Sequence, residues 1–337
     1  MSEIRQDPIT NYWVIFAAER GKRPKHIPRK IRMEELPEWD KSCPFCPGNE
    51  SQTPGELLRY PSSSKSWSVR VVPNAFPALT MNGSIERKED GRLFRKIDAV
   101  GVHEVIIESP SHNTPIALMG YDQVEQILKA YLARHASLKE FRDLKYITIF
   151  KNQGWVAGTS LVHPHSQLIA TPIAAHNYRR SFEIAVSYYD NFGECLYCRL
   201  FNQELEKRDR VVADTERFMV FHPYASRTPF ETWIVPKKHR ASFGGIPAEE
   251  LSELAKVLKD TLLGIYQELD NPSFNYMVFT STLDDDDDDP YYHWYIKIVP
   301  RLTTIAGFEM GSGMYINTVF PEETAKQMRK VLSRMNR

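Results

Sequence analysis

The residue types best suited to chemistry lie in one stretch, residues 152–167, Asn-Gln-Gly-Trp-Val-Ala-Gly-Thr-Ser-Leu-Val-His-Pro-His-Ser-Gln. Pro164 disfavours helix at His163, so His163 and His165 are expected two apart on an extended segment, projecting from one face. Ser166 and Gln167 add a hydroxyl and an amide, both able to bond a phosphoryl oxygen. Gly154 and Gly158, with Asn152 before them and the hydroxyl pair Thr159 and Ser160 after, suit a turn whose N–H groups meet an anion. An imidazole flanked by uncharged donors suits attack on phosphorus, where charge is spread over non-bridging oxygens. The plainer reading is two core histidines beside a strand; the glycines, the serine and the glutamine favour a site.

Four cysteines fall in two Cys-x-x-Cys pairs, Cys43/Cys46 and Cys195/Cys198. Two thiolates and two imidazoles make a tetrahedral zinc shell, which the sets Cys43, Cys46, His112, His163 and Cys195, Cys198, His239, His293 would supply. Four protein ligands close the shell, so each zinc would be structural and would activate no water. The competing readings are a redox pair, which expects a helix start in a parallel βαβ unit that the pattern lacks, and plain buried cysteines.

These residues need elements to hold them. Apolar runs predict strands at residues 12–16, 69–72, 103–108 and 146–150, and again at 218–221, 231–235 and 276–280. Residues 82–96 read as a hairpin or excursion. Helical spacing over residues 122–142 puts Val124, Ile127, Leu128, Tyr131, Leu132 and Leu138 on one face with Asp122 as N-cap, and a second helix is predicted over 248–269. The order of cysteine pair, strand-end histidine, helix and late histidine occurs twice. His112 and His163 are 51 residues apart, His239 and His293 54. An internal duplication accounts for this, with the extra residues of the first half supplied largely by the 82–96 excursion.

With 43 basic and 43 acidic side chains in 337 residues the formal charge is zero, which argues against an electrostatic nucleic-acid binder. No apolar leader or membrane-spanning run is evident, so a soluble, cytoplasmic protein is expected. The six aspartates at 284–289 read as a solvated, self-repelling loop rather than a cation site. His26, His103, His135, His176 and His222 have no spacing that recruits them and default to surface or satisfied core positions.

Over nearly its whole length the chain resembles the galactose-1-phosphate uridylyltransferase family, the transferase branch of the histidine-triad superfamily. The motifs are Asp7-Pro8-Ile9-Thr10, Arg20-x-x-Arg23-Pro24, Cys43-x-x-Cys46, Asn74-x-Phe76-Pro77, Ser109-Pro110-x-His112, Asn152-x-Gly154, Gly158-x-Ser160 and His163-Pro164-His165-x-Gln167. The resemblance implies an α+β fold of duplicated histidine-triad-like halves with antiparallel sheets and packed helices. A catalytic half would span residues 1–180 and a second half 190–337. By the same resemblance His165 is the nucleophile, Gln167 holds the transferred phosphate and His163 is a zinc ligand. Gly158 and Ser160 would line the nucleotide phosphates, Asn74 and Phe76 would lie near ribose and base, Arg20 and Arg23 would neutralise phosphate, and Glu309 would contact the hexose. Ser166 stands where the galactose enzymes usually have Gly, and Ala75 where they have Asp. The His-Pro-His-Ser-Gln form and the second Cys-x-x-Cys resemble the ADP-glucose phosphorylase-like branch. That branch commonly has His-Trp-His where this chain has His293-Trp294-Tyr295, so the second half is expected to lack a nucleophile.

The implied reaction is ping-pong transfer of a nucleoside monophosphate from an NDP-sugar to a hexose 1-phosphate through a nucleotidyl-histidine, in a homodimer of galactose metabolism holding two structural zinc ions per chain. Adenylyl transfer from ADP-glucose to phosphate, a histidine-triad hydrolase and a zinc-stabilised nucleotide-binding protein without turnover are the alternatives.

Overall fold

A computed structural model describes residues 2–22, 36–61, 66–284 and 289–335. Arg23, His26 and Asp285 to Asp288 lie outside the described residues. In chain order the strands are β1 (Glu3–Gln6), β2 (Trp13–Phe16), β3 (Leu58–Tyr60), β4 (Val69–Pro73), β5 (Lys88–Asp90), β6 (Phe94–Lys96), β7 (Val102–Ile107), β8 (Tyr146–Gln153), β9 (His165–Thr171), β10 (Val211–Asp214), β11 (Phe218–Phe221), β12 (Thr232–Pro236), β13 (Phe274–Phe279), β14 (Tyr295–Pro300) and β15 (Tyr315–Asn317). The helices are α1 (Tyr121–Lys139), α2 (His176–Phe192), α3 (Leu196–Lys207), α4 (Ala248–Glu268), α5 (Gly307–Ser312) and α6 (Pro321–Met335). No helix among the described residues is long and apolar enough to cross a membrane.

Ten strands form one sheet in the order β10-β11-β12-β14-β13-β8-β9-β7-β4-β3, with antiparallel neighbours throughout. The order reads the same outward from its centre. β8 and β13 pair with each other, then β9 matches β14, β7 matches β12, and β4 matches β11. The repeat seen in the sequence is therefore two halves of one sheet, joined where Asn275 of β13 pairs with Asn152 of β8. β1, β2 and β15 form a separate three-stranded sheet, and the 82–96 excursion is the β5–β6 hairpin.

Strand alternation gives the large sheet two distinct faces. One is covered by α1 and α4, whose Val124, Ile127, Leu128, Leu254 and Leu258 pack on Ile149, Leu168, Val278 and Ile296 in a continuous core. The other face differs between the halves. In the second half α2 and α3 cover it, through Tyr178, Ala185, Tyr197 and Phe201 against Met219, Phe221, Trp233 and Tyr295. In the first half, among the described residues, the Cys43–Cys46 knuckle, Trp67 and Leu161 pack with Val72, Val105 and Ile107, and no helix does.

The helix expected over 122–142 is found as α1, but Gly120 occupies the N-cap and Asp122 sits in the first turn, where its charge meets the helix dipole instead of capping. α2, α3 and α6 lie outside the two helices expected from apolar spacing. Cys195 is the N-cap of α3, so the second cysteine pair does stand at a helix start; the parallel βαβ setting of a redox pair is absent from the ten-stranded sheet.

Candidate active site

His165 opens β9 and Tyr295 opens β14, the matching strand of the other half. Their surroundings are opposite. Tyr295 is sandwiched between Trp233, with ring centroids 4.3 Å apart, and Phe279, 4.7 Å away, under α2 and α3. His165 has the edge of Phe45 against it at 5.4 Å and lies on the half of the sheet that no helix among the described residues covers.

The imidazole of His165 is oriented by main chain. Its Nδ1–H donates to the His163 carbonyl at 2.8 Å, leaving the lone pair on Nε2. Burial, reinforced by the charge of Lys151, holds its pKa below the usual 6.5, against an opposing pull from the His163 carbonyl. The ring is therefore neutral and nucleophilic at physiological pH.

That carbonyl is fixed from behind. His163 is buried, its Nε2–H donates to the Ser109 carbonyl at 2.7 Å, and its Nδ1 turns toward Cys43 Sγ at 3.7 Å and Cys46 Sγ at 3.6 Å. His112 Nδ1 lies 3.5 Å from Cys46 Sγ, and the four donor atoms of Cys43, Cys46, His112 and His163 sit within 4.8 Å of one another. Burial pushes His163 down to about 4 and the Cys43 thiol up to about 11, a set whose charged forms are disfavoured without a cation among them. Asn49 Nδ2 donates to the Cys43 carbonyl at 2.8 Å and shapes the knuckle.

On the helix-covered side, directly beneath, lies a buried polar network. Lys151 Nζ donates to Glu108 Oε2 at 2.5 Å and to the carbonyl of His165 at 3.0 Å. Tyr131 of α1 donates to Ser166 Oγ at 2.7 Å and shares a hydrogen bond with Tyr276 of β13. Burial raises both phenols far above their ordinary range, so they act as hydroxyls. Ser166, expected to offer its hydroxyl to substrate, belongs to this network: the alternation that exposes His165 and Gln167 turns Ser166 to the opposite face.

The other expected residues divide into two places. Gln167 and Asn152 share the face of His165, Asn74 reaches Gln167 through His103, and the glycine turn follows Asn152. Gln167 Oε1 meets His103 Nε2 at 2.8 Å, and Asn74 Nδ2 lies 3.0 Å from the same nitrogen. Phe76, 91 % exposed, projects from the loop after β4. Asn152 stands beside His165 on the same face, by the register that pairs Phe150 with Gln167. Gly154 and Gly158 have φ of +81° and +89°, and a Cβ on Gly154 would stand 2.3 Å from Ser273 Oγ. Thr159 Oγ1 donates to the Leu161 carbonyl at 2.9 Å, and Ser160 is exposed. Arg20 and Glu309 instead line a separate cavity of about 360 Å³ with Arg227, Thr303, Phe308 and Tyr315, and His165 is not part of that lining.

In the second cysteine set, Cys195, Cys198 and His239 converge, but His293 does not join them. Its Nδ1 donates to the Trp294 carbonyl at 3.0 Å, and the ring stands edge-on to His239 at 5.3 Å. The Cys195 thiol is held down to about 5 by its hydrogen bond with Cys198, whose own pKa that bond raises, so the pair favours one thiolate. The aspartate run contributes at its ends: Asp289 O accepts from His239 Nε2 at 2.8 Å, and Asp284 pairs with Lys145.

Several residues that matter here carry no sequence signal of their own. His103, set aside above as unrecruited, holds Gln167. Asn275 of β13 donates to Asn152 Oδ1 at 2.8 Å and to the Ala157 carbonyl at 2.9 Å, so the second half orients the glycine turn of the first. Glu108, Lys151 and Tyr131 become visible only when strand register and helix packing are known.

The family model described as "Galactose-1-phosphate uridyl transferase, N-terminal domain" matches residues 1–174, and that of the C-terminal domain residues 180–337. An ADP-glucose phosphorylase of Arabidopsis thaliana is 37% identical over 98% of this chain and 93% of its own length. A galactose-1-phosphate uridylyltransferase of Thermotoga maritima is 31% identical over 98% of both. The crystal structure of an Arabidopsis ADP-glucose phosphorylase with bound ADP-glucose matches with a TM-score of 0.84 and 35% identity, covering 98% of this chain and 99% of that one. A uridylyltransferase structure matches at 0.78 and 26%, covering 100% of each.

The network beneath His165 makes a prediction independent of activity. Glu108 is 0 % exposed, so Lys151→Met strands a buried carboxylate and should cost about 3–5 kcal/mol in urea unfolding. Adding Glu108→Gln should return part of that loss, whereas a single variant within about 1 kcal/mol of wild type would contradict the pairing.

Proposed function

The chain belongs to the galactose-1-phosphate uridylyltransferase family, and we propose that it moves a nucleoside monophosphate from an NDP-sugar to a hexose 1-phosphate through a nucleotidyl-histidine on His165. The observation that carries this reading is the neutral imidazole with Nδ1–H on the His163 carbonyl and its Nε2 lone pair on the uncovered face of the sheet. Nε2 attacks the α-phosphorus; the N–P bond forms as the bond to the bridging oxygen breaks, and sugar 1-phosphate leaves with that oxygen. A phosphate oxygen of the acceptor then attacks the same phosphorus and releases the imidazole. Gln167 offers an uncharged N–H to a non-bridging oxygen, which stabilises developing charge without a salt bridge that would trap the intermediate. Asn152, Gly158, Thr159 and Ser160 would receive the nucleotide phosphates, and Asn74 and Phe76 the nucleoside.

UDP-glucose with a hexose 1-phosphate acceptor is the first substrate pair we assign. A second, ADP-glucose with phosphate, is favoured by the 37% identity to a protein named ADP-glucose phosphorylase. Arg20 and Glu309 line a cavity apart from His165, an arrangement suited to a homodimer in which one copy's cavity completes its partner's site. Residues 1–180 would form the catalytic half and 190–337 a half without a nucleophile, its Tyr295 locked in an aromatic stack. We assign the enzyme to the cytoplasm.

The buried metal-binding set we assign to zinc. On a tetrahedral zinc, with Zn–S about 2.3 Å and Zn–N about 2.0 Å, neighbouring sulfur and nitrogen ligands stand roughly 3.5 Å apart. The sulfur–nitrogen distances of 3.5, 3.6 and 3.7 Å in the first set match that shell. The second set offers Cys195, Cys198 and His239, and His293 would complete it only by turning its ring.

Intact-mass analysis after mixing with UDP-glucose or ADP-glucose should show a UMP or AMP adduct that His165→Ala abolishes, and Gln167→Ala should slow its formation by about 10²–10³. Turnover without any adduct in rapidly quenched samples would overturn the mechanism. Because burial holds His165 below 6.5 and the protonated ring cannot attack, the rate should rise with pH to a plateau whose midpoint lies below 6.5; a midpoint above it would contradict the assigned neutral ring. Elemental analysis should find zinc in the purified chain, with Cys43→Ser losing the ion of the first set; an unchanged zinc content in that variant would exclude Cys43 as a ligand.

A further inference from the structure

We propose that His103 is a positioning residue for the transfer step, fixing the Gln167 side chain so that its NH2 group, and not its oxygen, faces the phosphoryl oxygens beside His165. The inference deepens the function proposed above and rests on it. His103 and Gln167 lie diagonally across the β7–β9 ladder on the uncovered face, where Val105 pairs with Gln167 and His103 with Ile169. The tautomer of His103 follows from its partners. The backbone N–H of Ala78 points at Nδ1 from 3.2 Å, and a backbone N–H can only donate, so Nδ1 accepts and the ring hydrogen is on Nε2. That Nε2–H donates to Gln167 Oε1 at 2.8 Å.

The consequence is chemical. An amide has one accepting side and one donating side, and an amide free to flip would turn its oxygen toward an oxyanion as readily as its hydrogens. With Oε1 taken by His103, both N–H groups of Gln167 point away from the ring. Asn74 is set in the same way: its Oδ1 accepts the Phe76 N–H at 2.8 Å, and its Nδ2 lies 3.0 Å from a His103 nitrogen that already carries hydrogen. Its N–H groups therefore find no acceptor on His103 and are held for one that a ligand brings. The imidazole thus sets the polarity of the Gln167 amide, and the Phe76 N–H that of Asn74. A glutamine without this partner would also pay rotamer entropy in each turnover.

The test is a double-mutant cycle on the single-turnover rate of His165 nucleotidylation. His103→Leu should slow adduct formation by roughly 10- to 100-fold, the range expected when a catalytic donor is left unpositioned. In a Gln167→Ala background the same substitution should change the rate by less than about 2-fold, since the group it positions is gone. His103→Gln, whose amide nitrogen reaches the place of Nε2, should recover most of the loss. Equal fold losses in both backgrounds, or a His103→Gln rate no better than His103→Leu, would overturn the assignment. Should His103→Leu fail to fold, His103→Gln is compared with His103→Asn, which is too short to reach Gln167: a faster glutamine variant supports the role, and equal rates overturn it. A wild-type chain that forms no adduct would defeat the functional reading itself, whereas a wild-type adduct with an additive cycle would defeat this inference alone.

Discussion

The site depends on one main-chain carbonyl, that of His163. It accepts the Nδ1 hydrogen of His165, and in doing so selects the tautomer and aims the opposite nitrogen at the uncovered face of the sheet. A carbonyl can do this only if it does not move. His163 is restrained at both ring nitrogens, by the Ser109 carbonyl and by the Cys43–Cys46 knuckle. The next link, the carbonyl of His165 itself, is held by Lys151, whose charge is balanced by buried Glu108. Thus a cysteine–histidine cluster able to hold a metal on one side and an ion pair on the other converge on three consecutive residues, a second layer of support behind the proposed nucleophile.

The duplicated sheet accounts for placing the proposed chemistry in one half. Both halves begin the corresponding strand with an aromatic ring, and both place a cysteine pair close by. In the second half α2 and α3 fill the face that the first half leaves uncovered, and Tyr295 becomes part of an aromatic core. The second half still serves the site, because β13 pairs with β8 and presents Asn275 to Asn152 and to the glycine turn. An isolated first half would leave the edge of β8 unpaired and that turn unsupported.

How much of this was legible before the structure depended on whether the signal was local. His163-Pro164-His165, the two cysteine pairs and the apolar faces of α1 and α4 are short-range patterns, and they pointed to the proposed nucleophile, to a cysteine–histidine cluster able to hold a metal and to the helical layer. The hydroxyl of Ser166, expected to meet a phosphoryl oxygen, bonds Tyr131 instead, because strand alternation separates it from His165 and Gln167. His103 and Asn275 act only through strand pairing, which brings them to partners 64 and 123 residues away, and no spacing along the chain announces that. His293 has the position of a ligand in the repeat, yet its Nδ1 is satisfied by the Trp294 carbonyl, a choice that side-chain rotation makes and sequence does not record.

Nitrogen-15 NMR of the histidine-labelled chain at neutral pH, with His165 assigned by comparison with His165→Ala, tests the central claim most directly. The structure requires a neutral ring with hydrogen on Nδ1 and a bare, pyridine-like Nε2. A His165 ring that is cationic at that pH, or that carries its hydrogen on Nε2, would contradict the account.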